Sequence, residues 1–115
     1  MGLEKEIEAL TASDLQELID NAVSEQKTVE YKQLLSVHND EEKREFLADV
    51  SSFANAAGGH LIYGIREESG VPAECLGFEL TDPDAERLRL EKIIRTGVAP
   101  RIPGIQTKPI LLDHL

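Results

Sequence analysis

The chain has a single cysteine, Cys75, no tryptophan, three phenylalanines and two tyrosines among its 115 residues. One cysteine forms no internal disulfide, which suits a reducing compartment. With no CxxC or HxxxH spacing, and with His38, His60 and His114 scattered, no zinc site is expected. Cys75 itself reads as a small apolar core residue rather than a reactive thiol. So few rings leave aliphatic side chains to supply most of the core. No apolar run approaches the ~18 residues that span a bilayer, and the acidic N-terminus is unlike a signal peptide. A soluble, cytoplasmic protein with no membrane partner is the expectation. The pattern GxxxxGK[ST] is also missing, so ATP held in a phosphate-cradling loop is not expected.

What is present begins with acid. Twenty-two Asp and Glu against twelve Lys and Arg give a net charge of −10, which argues against a surface that attracts nucleic acid all over. The average hides an asymmetry. Six basic residues (Arg87, Arg89, Lys92, Arg95, Arg101, Lys108) and one acid, Glu91, share the stretch from 87 to 108, a local +5 that leaves −15 elsewhere. At this length one domain is expected, burying roughly two-thirds of the surface its unfolded chain exposes.

The polar, acidic first ten residues predict a frayed tail. Thr11 or Ser13 can cap a first helix running to about Ser24, with Leu15, Leu18, Ile19 and Val23 at helical spacing, as a lid on the core. Thr28-Val29 opens a strand to about Leu35 in which Val29 and Tyr31 face one way, Glu30 and Lys32 the other. Asn39, three residues before Glu42, resembles a capping box, and the acidic turn Asp40, Glu41, Glu42 suits a helix N-terminus. That helix should reach about Ala57, with Phe46, Leu47, Val50, Phe53, Ala54 and Ala57 on one face. Glu67-Glu68-Ser69-Gly70 reads as a turn, followed by a strand from about Cys75 to Leu80. Thr81, Asp82 and Pro83 announce a helix to about Thr96, apolar at Leu90, Ile93 and Ile94. A loop with Pro100 and Pro103 then leads to a strand over 105–112, interrupted by Pro109 and so expected at an edge. The fold class is α+β: a mixed β-sheet of four or more strands with helices packed on it. Its exposed edges make a homo-oligomer the expectation.

Between these elements lies the most informative stretch, Phe53-Ala54-Asn55-Ala56-Ala57-Gly58-Gly59-His60-Leu61-Ile62-Tyr63-Gly64-Ile65. Its order is helix, Gly-Gly, strand, whereas a phosphate-binding glycine loop runs from strand to helix. The glycines therefore stop a helix. The apolar strand after them reads as central to the sheet. His60, directly after the glycines, reads as the opening residue of that strand rather than as a ligand or an acid-base group.

Together with Glu25-Gln26-Lys27-Thr28-Val29-Glu30-Tyr31-Lys32, this block resembles the Alba-like domain of Schlafen proteins and of many prokaryotic transcriptional regulators, also described as a divergent AAA-type ATP-binding domain. The resemblance divides the chain into a tail and lid helix at 1–24 and an Alba-like domain at 25–115. It also implies a further strand after Leu115, so the chain reads as part of a longer protein. The function it implies is nucleic-acid binding, to DNA or RNA, within a transcriptional regulator, and the basic stretch Arg87, Arg89, Lys92, Arg95, Arg101 and Lys108 fits phosphate contact. The competing reading of part of that stretch is an ordinary exposed face on which Arg87, Glu91 and Arg95 pair at i, i+4, i+8.

A second implied function is a divalent-metal nuclease, in which Glu25, Glu30 and either Glu67 or Glu68, of which Glu67 matches better, hold Mg or Mn and Lys32 steadies negative charge. Arg66 occupies a place that is often Asp in the family, and Glu67 a third acid position that is usually Asp. The bland alternative is a solvated acidic face with a Glu30–Lys32 pair. A third class, a protein-interaction or oligomerisation domain without catalysis, fits the net charge.

Overall fold

The computed structural model describes residues 6–26, 28–55, 58–97 and 105–112. After a 3-10 turn at Ile7–Ala9, the order is α1 (Ala12–Asp20), β1 (Val29–Lys32), α2 (Asp40–Asn55), β2 (His60–Tyr63), β3 (Ile65–Glu68), β4 (Val71–Cys75) and α3 (Pro83–Gly97).

Thr11 opens α1, donating its N–H to Asp14 Oδ2 at 2.8 Å and completing a capping box. The helix stops at Asp20 rather than near Ser24 because Ala22 takes φ +48° and folds the chain back. Ala22 N–H then donates to Ile19 O and Val23 N–H to Leu18 O, each at 3.0 Å. These two bonds make a Schellman motif with alanine where glycine is usual. At the start of α2, Glu42 N–H donates to Asn39 Oδ1 at 2.8 Å, as the sequence suggests. The Glu42 carboxylate reaches one residue further back than a capping box requires, to His38 N–H at 2.8 Å, and also accepts the Ser36 hydroxyl at 2.7 Å. The Ser36 bond, followed by the His38 bond, holds this carboxyl below its ordinary pKa. Asp82, not Thr81, caps α3, accepting Ala85 N–H at 3.1 Å.

The strands β1 and β2 are parallel, with Val29 opposite His60 and Lys32 opposite Tyr63. A parallel pair needs a crossover, and α2 supplies it. Because side chains alternate, Val29, Tyr31 and Ile62 join Leu15, Leu18 and Ile65 in one core, while Tyr63 joins Val37, Phe46 and Ile94 in a second. The β1–β2 pair is thus the partition between two small cores. Each fully buried aliphatic or aromatic side chain in them contributes about 1.5–3 kcal/mol. The pairing demands glycine at 59: its φ is +149°, and a Cβ there would stand 2.5 Å from the Thr28 carbonyl oxygen. His60 N–H bonds that same oxygen at 2.9 Å.

The fold is α+β as expected, but among the described residues the mixed sheet of four or more strands is not seen: the described strands make one parallel and one antiparallel sheet of two strands each. Gly64, at φ +97°, breaks the apolar run. Its N–H donates to Lys32 O at 2.7 Å and its carbonyl accepts Gly77 N–H at 2.8 Å. Beyond it β3 turns into a hairpin with β4, and β3 lies against β1 without a ladder to it. With β2 ended at Tyr63, β1 has no partner beyond Lys32 and stops short of Leu35. The turn is only Ser69-Gly70, both at positive φ, and β4 starts at Val71, earlier than the sequence suggests. Pro72 is tolerated there because the ladder shifts between Arg66 and Glu67, facing Glu74 and Pro72 respectively.

Residues 105–112 form no strand, Pro109 offering no N–H to a ladder, yet Ile105 packs on the second core and Ile110 on the first. The expected end of α2 at Ala57 and the loop with Pro100, Arg101 and Pro103 lie outside the described residues. No helix among the described residues is long and apolar enough to cross a membrane.

Two substitutions test this account by chemical denaturation. Gly59→Ala should cost about 2–3 kcal/mol by forcing β2 away from Thr28. Ala22→Gly should add about 1 kcal/mol by relieving the left-handed alanine, and a loss of stability there would refute the assigned helix end.

Candidate functional site

Alternation along β1 sends Glu30 and Lys32 to the face opposite Val29 and Tyr31, where α2 lies. Lys32 Nζ stands 3.4 Å from Glu30 Oε2 and 3.4 Å from Asp49 Oδ2 on α2. Burial acts to lower the Lys32 pKa, but Asp49 and then Glu30 outweigh it, and the net value lies above that of an ordinary lysine. Tyr63, in register with Lys32, has its phenol pushed well up by burial, with Asp49 and Glu30 adding to the effect. Asp49 is a member of this cluster that sequence reasoning missed. The available signal was an acid at i+3 from Phe46, inside the apolar stripe of α2.

Glu25 and Glu67 gather elsewhere, around Gly70. Glu25 N–H donates to Gly70 O at 2.7 Å, its Oε2 accepts Tyr31 N–H at 2.9 Å, and its Oε1 borders Gly70. Glu67 Oε2 accepts Gly70 N–H at 2.7 Å. Tyr31 is also held by its hydroxyl, which donates to Val23 O at 2.6 Å; burial, then Glu25, pushes that phenol up. The structure therefore brings Glu25 and Glu67 to the hairpin turn and Glu30 with Lys32 to α2. Among the described residues no three His, Cys, Asp or Glu side chains gather into a metal-binding group. A hard divalent cation needs several carboxylate oxygens free for it. Here Glu25 and Glu67 lie about Gly70 while Glu30 pairs with Lys32 on the face toward α2, so as arranged the three do not converge on a shared Mg or Mn ion.

The basic stretch also divides. Arg89 donates through Nη2 to Val37 O and pairs through Nη1 with Glu86 at 3.1 Å. Lys108 Nζ donates to Glu8 O at 2.6 Å and Leu10 O at 2.9 Å, tying residues 105–112 to the N-terminal turn. Both are engaged within the fold. Lys92 and Arg95 are exposed on the outer side of α3, together with Ala85 and Leu88. Arg87 is half-buried, its Nε sheltered and without a hydrogen-bond partner. Glu91 accepts the Thr107 hydroxyl at 3.2 Å, and among the described residues no ion pair joins it to Arg87 or Arg95. Arg101 lies outside the described residues.

His60 begins β2, half-buried, with burial lowering its pKa. Cys75 packs on the first core, and burial raises its thiol pKa, the opposite of what a reactive thiolate needs.

A family model described as Schlafen, AlbA_2 matches residues 25–114, nearly all of the chain after α1. The chain belongs to the Schlafen AlbA-like family. Comparison with curated proteins and with solved structures returns no match. The match starts at Glu25, the residue that ties the AlbA-like domain to its own hairpin turn. Leu15 and Leu18 of α1 precede the matched AlbA-like region yet complete its first core.

The Lys32 cluster gives a pH-dependent expectation. A lysine whose folded pKa is raised contributes stability that is present below the ordinary lysine pKa and lost as pH climbs through the folded value, here above about pH 10. Asp49→Asn should bring the Lys32 side-chain NMR titration down toward the ordinary value while costing only a few tenths of a kcal/mol, because the pair is substantially exposed. An unmoved titration would show that Asp49 does not hold the ammonium.

Proposed function

We propose that this AlbA-like domain is a nucleic-acid-binding module of a transcriptional regulator, meeting phosphates with the outer side of α3. The Schlafen/AlbA-like family suggests an association with nucleic acid. The observation that carries the reading is local: Lys92 and Arg95 stand exposed in the last three turns of α3, and the one acid among them, Glu91, is drawn to Thr107. Clustered cations bind a phosphate backbone by releasing its counterions, which gives affinity without reading bases. With a net charge of −10, such binding must be confined to this face. Self-association through the unpaired edges of the two small sheets belongs to the same proposal.

A second reading, a metal-dependent nuclease, is favoured by one feature, the placement of Glu25 and Glu67 about Gly70. It requires Glu30 to leave Lys32, or another group to serve in its stead.

Filter binding of a labelled RNA hairpin and the matching DNA hairpin at low salt tests the first reading. The domain should bind at least one. Reversing Lys92 and Arg95 to Glu should weaken binding and reduce the slope of log affinity against log salt by about 2. No binding at any salt sinks the reading, and cleavage of the RNA hairpin in Mn²⁺ that disappears in Glu30→Gln would establish the second reading instead.

A further inference from the structure

We infer that Arg87 is the anchor of the α3 interface, taking a phosphate as a close partner while Lys92 and Arg95 act as solvated counter-charges beside it. The inference rests on the nucleic-acid reading above and assigns the roles within it. Three observations lead to it.

Arg87 lies on the flank of α3, one turn before the core-facing Leu90 and two before Ile94, and is half-buried. Its Nε is closed off from solvent and has no acceptor. A sheltered donor without a partner is a cost the fold carries, and with Nε closed to any ligand the guanidinium can meet an outside anion only through its terminal N–H groups. The partner expected for Arg87 at i+4 is Glu91, and Glu91 instead accepts the Thr107 hydroxyl at 3.2 Å from the passing segment 105–112. Of the other acids beside it on α3, Glu86 pairs with Arg89, and among the described residues no ion pair joins Asp84 to Arg87. Thr107 is thus a positioning residue that holds the acid at i+4 aside.

The other basic residues differ in kind. Arg89 and Lys108 are spent on carbonyls of Val37, Glu8 and Leu10, and Lys92 and Arg95 are exposed. A guanidinium already partly stripped of water attracts an anion more strongly than a solvated ammonium, and its terminal N–H groups suit two phosphate oxygens at once. From Arg87 to Arg95 the helix rises about 12 Å, which matches several successive phosphates of one strand rather than a single phosphate group. The ligand class is therefore a nucleic-acid backbone, with a lone phosphate too short to engage both ends.

The test uses the whole chain with a fluorescein-labelled RNA hairpin, following affinity by anisotropy and stability by thermal denaturation. Arg87→Met should weaken binding about tenfold at low salt. It should also raise Tm, because the unpartnered donor is gone. Arg44→Met, which removes the same charge from an exposed position on α2, should stay within about twofold of the unaltered protein. Thr107→Val, which frees Glu91 to turn to Arg87, should weaken binding several-fold without touching α3, and inorganic phosphate should compete poorly. If Arg87→Met binds as the unaltered protein does, or lowers Tm as a core truncation would, the inference is overturned while the nucleic-acid reading stands. Unchanged affinity in Thr107→Val removes the role given to Thr107, and ready competition by inorganic phosphate removes the backbone as the ligand. An unaltered protein that binds nothing overturns both readings together.

Discussion

The parallel pairing of Val29–Lys32 with His60–Tyr63 is the constraint on which the rest of the molecule depends, and it hinges on one close approach. At Gly59 the chain passes so near the Thr28 carbonyl that no side chain fits, and only there does His60 come within hydrogen-bond reach of that oxygen. Once the register is set, alternation does the rest. Tyr31 and Ile62 turn toward α1 and the hairpin, Tyr63 turns toward α2 and α3, and two separate clusters of aliphatic side chains collapse on opposite faces of a sheet only two strands wide. A sheet that narrow is not stable alone. Helices and hairpin cover both faces, and α1 is as much a part of the first core as any strand.

The same register separates the acidic residues. Glu30 and Lys32 must share a face with α2, and Asp49 meets them there. Glu25 and Glu67 are used differently, as acceptors for N–H groups: Glu25 takes that of Tyr31, and Glu67 takes that of Gly70 at the hairpin turn. An edge N–H without a partner is costly when water is excluded, so a carboxylate is an effective acceptor there. Glu25, which also donates its own N–H to Gly70 O, thus fastens β1 to the β3–β4 hairpin, while Glu67 closes the hairpin turn on itself; among the described strands β1 and the hairpin share no ladder.

A comparable division of labour runs through the basic residues of the C-terminal third. Charge counted along the chain makes them look equivalent. In three dimensions Arg89 ties α3 to the segment after β1, and Lys108 ties residues 105–112 to the first turn of the chain. Of those described, Arg87, Lys92 and Arg95 are the ones that no hydrogen bond or ion pair ties to another part of the fold. The proposed binding of a polyanion by this acidic protein asks for positive charge that is both concentrated and uncommitted, and α3 carries such charge.

Local rules were enough to read much of this from the residues. The Asn39–Glu42 cap, the Asp82-Pro83 helix start, the Gly-Gly stop and the opposed faces of Val29-Tyr31 and Glu30-Lys32 all depend on neighbours within a few positions, and the family followed from the same short blocks. What local rules did not reach was settled by contacts between residues far apart in sequence. Gly64 reads as one more glycine at the end of a strand, until its carbonyl meets Gly77 and splits an expected broad sheet into two narrow ones. Pro72 argues against a strand at 71–75 until a shifted ladder accommodates it. Asp49 is an anomaly in an apolar stripe until Lys32 arrives from β1, and six basic residues remain interchangeable until Val37, Glu8 and Leu10 claim two of them. The sequence by itself determined where the helices begin, the Asn39–Glu42 cap, the alternation of β1 and the family, while the end of α1 at Asp20 was not legible in it. Register, sheet composition and which charges remain free came only from tertiary structure, because each is a property of pairs that the chain brings together only by folding.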